Sequence, residues 1–205
     1  MPNDERVHTY DWVAYYTNVA NRPPRATVIL ANKLSENMSG EKYALDLGSG
    51  SGRDTKFLLE NDWSVLAIDG EKVGINTLLQ SIGGKYKEKL ETQVRTFEKL
   101  KLNQRFDLIN SSYALPFCKP EYFPDLWMKI TEAIKIGGMI SGHLFGIHDQ
   151  MAKNTNMNFH SKEDVSKLFE NFQFEFFEEE EKDGPTASDN IKHWHIFHIV
   201  AKRIN

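Results

Sequence analysis

The residues best suited to chemistry form a glycine-rich loop near position 50. The chain reads Leu45-Asp-Leu-Gly-Ser-Gly-Ser-Gly52, between an apolar strand and a helix. Glycines allow positive φ angles and let a ligand approach the backbone, while N–H groups at the start of the helix face that ligand. Asp69 ends the next apolar run, where a carboxylate can accept hydrogen bonds from both hydroxyls of a ribose. The pattern indicates an adenosine-type cofactor, and the alternative is a tight turn without a ligand. The loop residues expected to bind are Gly48, Ser49, Gly50 and Gly52.

The spacing of the glycines separates two classes of adenosine cofactor. The dinucleotide fingerprint G-x-G-x-x-G requires Gly or Ala where this chain has Arg53, and the chain reads G-x-G-x-G instead. S-adenosylmethionine has an ammonium and a carboxylate at its methionine end. Asp46, at the tip of the preceding strand, is placed to meet that ammonium. We therefore expect S-adenosyl-L-methionine, which becomes S-adenosyl-L-homocysteine, in preference to NAD.

Three segments carry a family resemblance that covers nearly all of the chain. Ala44–Gly52, Val65–Asp69 and Phe106–Asn110 resemble the class I S-adenosylmethionine-dependent methyltransferases. Further segments are similar to the small bacterial methyltransferases grouped with tellurite resistance. These segments are Trp12–Tyr16, Pro24-Arg25, Gly52–Thr55, Ser112–Phe117 and His193–His195.

The resemblance implies positions for the cofactor. Asp46 and the glycine loop would hold the methionine end, and Asp69 with Gly70 would hold the ribose. Phe97 and Glu98 would flank the adenine, although Thr96 stands where many relatives place an acid. Asn110, at the end of the fourth strand, completes the expected cofactor set.

The methyl acceptor is expected beyond the carboxyl end of the fourth strand, at the switch point of the sheet. Methyl transfer is an in-line displacement, so positioning and water exclusion can suffice without an acid or base. If the acceptor must lose a proton, the candidates are Tyr113 and Tyr16, followed by His143 and His195. Each has a packing role as its alternative.

The first 38 residues are expected to form a lid segment and a helix. Trp12 and Tyr15 would offer aromatic faces to the acceptor and the sulfonium, and Arg25 would pair with the methionine carboxylate. The alternative is that these aromatic residues anchor the segment to the core.

Side chains of a strand point alternately to its two sides. His193, His195 and Phe197 therefore lie on one side of the last strand, and His198 lies on the other. Histidines at this spacing can bind a metal, but no cysteine or carboxylate joins them in the sequence pattern. We therefore predict hydrogen-bonded histidines and no metal.

Bulk properties narrow the classes of partner. The net charge is −4, and the basic residues are scattered, so nucleic acid is not an expected partner. The single cysteine, Cys118, fits a reducing compartment, and neither a signal segment nor a membrane span is visible in the sequence. We expect a cytoplasmic protein that is a monomer or weak homodimer and acts on a small molecule.

Short apolar runs alternate with amphipathic stretches, which predicts an α/β fold with a doubly wound, mostly parallel sheet. We expect a single domain over residues 1–205 with seven strands, a Rossmann-like order and an antiparallel last strand. The expected strands are 43–47, 64–68, 93–97, 106–110 and 139–145, followed by a hairpin within 172–201. Helices are expected over 24–37 and 121–135, with a capping box at Ser161–Asp164.

Three functions remain open at this point. The first is methyl transfer to a thiol, a metalloid oxyanion or a small metabolite. The second is binding of S-adenosylmethionine or S-adenosylhomocysteine without catalysis. An NAD-dependent oxidoreductase is the third, and Arg53 disfavours it.

Overall fold

A mixed sheet with helices on both faces organises the protein, which is described by a computed structural model over residues 11–19, 22–38 and 40–205. The helices are α1 (Trp12–Val19), α2 (Ala26–Leu34), α3 (Arg53–Glu60), α4 (Lys72–Ile82), α5 (Phe123–Ala133) and α6 (Lys162–Leu168). The strands are β1 (Tyr43–Leu47), β2 (Ser64–Asp69), β3 (Leu90–Val94), β4 (Phe106–Ser111), β5 (Ile134–Phe145), β6 (Phe172–Pro185) and β7 (Ile191–Arg203).

The strand order confirms the predicted fold class. The sheet runs β3-β2-β1-β4-β5-β7-β6, and β7 is antiparallel to both of its neighbours. From β1 the strand order runs to one side through β2 and β3, and from β4 it runs to the other side through β5. Strands β1 and β4 lie next to each other at this switch point and pair in parallel. Loops that follow these two strands therefore open side by side, which is where doubly wound sheets bind ligands.

The core lies on both faces of the sheet. Val28 of α2 and Leu58 of α3 pack with Trp63 and Val65 on one face. The other face is covered by α5 and α6, through Trp127 and Phe169 among other residues. Strands β1, β2 and β4 are buried almost throughout, as expected of parallel strands covered on both sides.

Two strand boundaries differ from the sequence prediction. The third strand was predicted at 93–97, but β3 is Leu90–Val94, and residues 97–99 form a short 3₁₀ turn beyond it. The Gly137-Gly138 pair was predicted to be a turn before the fifth strand, yet β5 begins at Ile134 and runs through it. Gly137 adopts φ 82° beside an irregular pairing of β4 with β5, so the glycines accommodate a kink inside one long strand.

The two predicted helices were too long at both ends. The helix predicted over 24–37 spans Ala26–Leu34, because Arg25 is extended and the Ser35 hydroxyl bonds back to the carbonyl of Ala31. The helix predicted over 121–135 spans Phe123–Ala133. The capping box at the start of α6 is confirmed, with Ser161 and Asp164 exchanging hydrogen bonds.

The predicted terminal hairpin is confirmed, and β6 forms one edge of the sheet. Its pairing with β7 shifts between Phe174 and Phe176, so the expected simple alternation of phenylalanines breaks there. Phe172 is buried, whereas Phe174 is exposed. Among the described residues, no helix has the length and apolar character needed to cross a bilayer.

Candidate active site

A cavity of about 1360 Å³ opens at the carboxyl ends of the central strands. Its wall includes twelve of the seventeen residues predicted for the site, namely Trp12, Tyr15, Tyr16, Arg25, Gly48, Ser49, Gly50, Asp69, Gly70, Phe97, Glu98 and Tyr113. The other five lie behind the wall, namely Asp46, Gly52, Asn110, His143 and His195. The sequence therefore located the cavity, and the structure separates residues that face it from residues that support it.

The glycine loop leaves its backbone open to the cavity. Gly50 adopts φ 54°, and a Cβ built there would lie 2.9 Å from the ring of Tyr16. Gly52 serves packing instead, because a Cβ there would lie 2.1 Å from the Leu78 side chain of α4. The buried hydroxyl of Ser49 has no hydrogen-bond partner among the described residues. Buried hydroxyls normally have a hydrogen-bond partner, and this one lies in the wall of a cavity large enough for a ligand. The loop therefore fits a bound cofactor that would supply the partner.

Asp69 is held rigidly at the end of β2. Its carboxylate accepts hydrogen bonds from the backbone N–H of Gly50 at 2.7 Å and of Glu71 at 2.8 Å. Tyr16 donates its hydroxyl to Asp69 Oδ1 at 3.2 Å. Burial raises the pKa of Asp69, while the two backbone bonds oppose that shift. A ribose that binds this carboxylate must share it with Tyr16.

A buried polar network lies beneath the loop. Asn110 donates its amide N–H groups to Asp46 Oδ1 at 2.9 Å and to Asp54 Oδ2 at 3.2 Å. Thr55 donates to Asp46, and Ser141 donates to the Asn110 oxygen. Burial raises the pKa of Asp46, and the nearby Asp54 charge adds to the shift. Asp46, predicted to contact the cofactor, therefore lies behind Asp54, which faces the cavity.

Sequence reasoning missed Asp54, although its position was a usable signal. It lies in the first turn of α3, directly after the glycine loop. Asp54 Oδ1 accepts the backbone N–H of Arg25 at 3.0 Å, so it also anchors the start of α2 to the site. A carboxylate at this place can receive the ammonium that was assigned to Asp46.

Arginines gather beside these carboxylates. Arg22, Arg25 and Arg53 all face the cavity, and Arg53 donates to the carbonyl of Pro23. Burial lowers the pKa of Arg53, and the charge of Arg25 lowers it further. Adjacent positive charges that repel each other favour an anionic ligand, such as the carboxylate of a methionine moiety.

The region expected to hold the acceptor is aromatic. Tyr113 adopts φ 58° and stacks on His143 with 3.9 Å between ring centroids. The Arg25 guanidinium lies 4.3 Å from the Tyr113 ring centroid. His143 is only 3% exposed, and burial together with His198 holds its pKa well below the ordinary value. Tyr113 therefore faces the cavity, and His143 supports it from behind.

Helix α1 places its aromatic residues over the same opening. Trp12 contacts Phe117 with 5.2 Å between centroids and stacks on Tyr16 at 6.1 Å. The predicted lid segment starts at residue 1, and its residues 1–10, 20 and 21 lie outside the described part. That this segment covers the cofactor as a lid stays a prediction.

His195 lies apart from the cavity wall, and the structure overturns one argument made about it. The sequence pattern offered no carboxylate to the histidines of the last strand. The hairpin register places Glu181 opposite His195 and Asp183 opposite His193, and Glu179 lies 3.2 Å from His195 Nε2. Pairing across a hairpin is not visible as spacing along the chain, so these acids were missed.

Comparisons with known proteins agree with this geometry. A family model described as tellurite resistance protein TehB matches residues 14–183. No match was found among curated proteins. The structure resembles TehB from Haemophilus influenzae, with a TM-score of 0.76 and 15% identity over 92% of this chain and 65% of that chain. This chain thus spans slightly less than two thirds of that protein.

Two further solved structures share the fold. One is an S-adenosylmethionine-dependent methyltransferase from Clostridium acetobutylicum, with a TM-score of 0.68, 12% identity, and coverage of 97% of this chain and 100% of that chain. Another is phosphoethanolamine N-methyltransferase 2 from Haemonchus contortus, with a TM-score of 0.67, 15% identity, and coverage of 95% and 57%. The family match extends over most of the sequence, and the chain therefore belongs to the TehB family.

Proposed function

We propose that this protein transfers the methyl group of S-adenosylmethionine to a small acceptor that enters beside Tyr113. The observation that carries the proposal is one continuous cavity, with the glycine loop and Asp69 at one end and an aromatic pocket at the other. At about 1360 Å³ it exceeds the volume of an ordinary ligand pocket, roughly 300–1,000 Å³. There is room for a cofactor and a second small molecule.

The residues present would hold the cofactor by complementary charge. Asp69 would accept the ribose hydroxyls, Asp54 would receive the ammonium, and Arg25 and Arg53 would pair with the carboxylate. Asn110 keeps Asp54 in place by donating to it. Bound S-adenosylmethionine would supply a methyl group on a positively charged sulfur.

The contribution of the protein to transfer would then be positioning and exclusion of water. Tyr113 is fixed between the ring of His143 and the guanidinium of Arg25, so it can offer its ring edge and hydroxyl to the acceptor without moving. Phe145 and Trp194 add an apolar wall to the cavity. Holding two reactants in line in such a setting can supply a large part of the rate enhancement.

A small acceptor, in place of a macromolecule, is supported by the net charge of −4 and by the aromatic side chains in the cavity wall. The Haemonchus contortus relative was solved with phosphomonomethylethanolamine and S-adenosylhomocysteine, which are small molecules. A thiol, a metalloid oxyanion and a small metabolite all remain candidates. We also propose that the protein works as a monomer or weak homodimer in the cytoplasm, without nucleic acid.

Calorimetry with S-adenosylhomocysteine tests the cofactor half of the proposal. We expect one binding site, and we expect Asp69→Ala to weaken binding by about 1–3 kcal/mol, because buried ribose hydroxyls lose their acceptor. Asp62→Ala is the matched control, since that carboxylate is 89% exposed. Equal affinity in wild type and Asp69→Ala would refute the ribose assignment.

The acceptor half requires a turnover assay. Thiols, selenite, tellurite and small phenols would each be supplied with S-adenosylmethionine while release of S-adenosylhomocysteine is followed. Turnover of one of them would identify the acceptor class. Tight cofactor binding without turnover of any would favour the alternative, a binding protein without catalysis.

A further inference from the structure

The terminal hairpin carries a row of carboxylates against a row of histidines. Its register sets Glu181 opposite His195 and Asp183 opposite His193. Opposed residues of an antiparallel pair project from the same face of the sheet. The cavity wall is built from the alternate residues, including Glu180 and Lys182. The histidine–carboxylate row therefore lies on the face turned away from the cavity.

A third element brings one more imidazole to this row. His148 belongs to the loop after β5, and its Nδ1 lies 3.0 Å from Glu181 Oε2. The His148 and His195 rings stack with 5.0 Å between centroids. One donor atom each from His148, Glu181 and His195 lie within 4.8 Å of one another. His193 Nε2, at 3.3 Å from Glu181 Oε1, lies on the other side of the same carboxylate.

We propose that His148, Glu181 and His195 form a binding site for a divalent transition-metal ion of the zinc type. Two imidazoles and one carboxylate are a ligand set that Zn²⁺ accepts, with a water in the fourth position. Donors bound to one ion lie closer together than 4.8 Å, so the side chains must converge on loading. His148 and Glu181 can do so because 58% and 44% of their side chains are exposed. The same exposure gives the ion its entry path.

His195 is the fixed ligand, and its hydrogen bonds define what changes on loading. It is 2% exposed, and its Nδ1 accepts the backbone N–H of His148 at 3.1 Å. The neutral ring therefore carries its proton on Nε2, which faces Glu179 Oε1. An ion that takes Nδ1 displaces the His148 N–H directly, and an ion that takes Nε2 moves the ring proton to Nδ1, so in either case this N–H must turn to another acceptor. Loading therefore shifts the loop locally and exchanges one backbone bond for the metal–ligand bonds.

This site would fasten the loop after β5 to the terminal hairpin. Both elements also reach the cavity, the loop through Gln150 and Met151 and the hairpin through Trp194. The site lies outside the cofactor and acceptor contacts, so it goes beyond the proposed function. Its failure would leave that function untouched.

The test is calorimetric titration of the chelator-treated 205-residue protein with ZnCl₂, with circular dichroism recorded in parallel to show that each variant is folded. We expect one saturable Zn²⁺ site in the wild type, and at least about tenfold weaker binding in His148→Ala and in Glu181→Gln. Ile147→Ala and Glu175→Gln are the matched controls, because they alter exposed neighbours on the same loop and strand. Zn²⁺ should also raise the unfolding temperature of the wild type and of the controls.

Two results would overturn the proposal. One is a folded wild type that takes up no Zn²⁺, which would leave the row as hydrogen-bonded pairs only. The other is equal Zn²⁺ affinity in the wild type and the two ligand variants, which would place the ion elsewhere. With Co²⁺ as the probe, the visible bands of a four-coordinate centre should appear in the wild type and be lost in Glu181→Gln.

Discussion

Removing the Tyr16 hydroxyl should tighten cofactor binding, although that residue lies in the cavity wall. Tyr16 donates to the same carboxylate that the ribose requires, and its ring packs against Gly50 and Gly74. A ribose hydroxyl that takes over Asp69 Oδ1 must displace this bond. In Tyr16→Phe the ring keeps its place, and the competing donor is gone.

The magnitude follows from the bond that is displaced. A hydrogen bond to a charged group contributes about 1.5–3 kcal/mol, and the 3.2 Å separation places this one at the weak end. Relief of about 1.4 kcal/mol corresponds to about tenfold in affinity. We therefore expect S-adenosylhomocysteine to bind Tyr16→Phe up to about tenfold more tightly. The unliganded variant should lose a similar amount of unfolding free energy, about 1.5 kcal/mol.

Calorimetry and urea unfolding together give a signature of opposite signs, with tighter binding and lower stability. Tyr43→Phe is the control, because it removes a hydroxyl that donates to Gln104 outside the cavity. Weaker cofactor binding in Tyr16→Phe would refute the reasoning, because Tyr16 would then contact the cofactor itself.

Three further predictions concern the support of the site and of the sheet. Burial raises the pKa of Asp46, so this carboxyl gains its proton at a higher pH than an ordinary aspartic acid. S-adenosylhomocysteine affinity should therefore fall as the pH is lowered from about 8 to about 5, and calorimetry should show a flatter profile for Asp46→Asn. Arg203→Ala should cost about 1–3 kcal/mol in urea unfolding, because its guanidinium donates to carbonyls at the end of α5, whereas Lys202→Ala should be neutral. Gly52→Ala should lower the unfolding temperature through its clash with Leu78, with partial rescue by Leu78→Ala.

The fold was predictable because each apolar run marked a strand and the alternation of these runs with amphipathic stretches marked a parallel sheet. Buried parallel strands are continuous apolar runs, and β1, β2 and β4 were located to within one residue. The errors arose where the pattern was weak. Every residue of β3 is half-buried or exposed, so no apolar run marked Leu90–Val94. The two glycines inside β5 resemble a turn in sequence, and only the pairing with β4 shows a kinked strand.

The site was predictable where its residues lie close together along the chain. The loop and Asp69 follow the first two strands, and their position at the cavity could be predicted from spacing. That Asp54 faces the cavity while Asp46 lies behind it could not be predicted, because it depends on how Asn110 and the helix after the loop place the two carboxylates. The hairpin acids were missed for the same reason, since register is a property of two strands and their turn.

Strand β6 ends the sheet, and its position has a consequence for how copies of the protein meet. A fourteen-residue edge strand presents backbone N–H and C=O groups to which a strand of another chain could pair. Glu175 and the run Glu178–Glu181 place negative charge along this edge, and a second copy would bring the same charge against it. Repulsion between like edges therefore opposes strand addition and aggregation, and this protection weakens where acid neutralises the carboxylates.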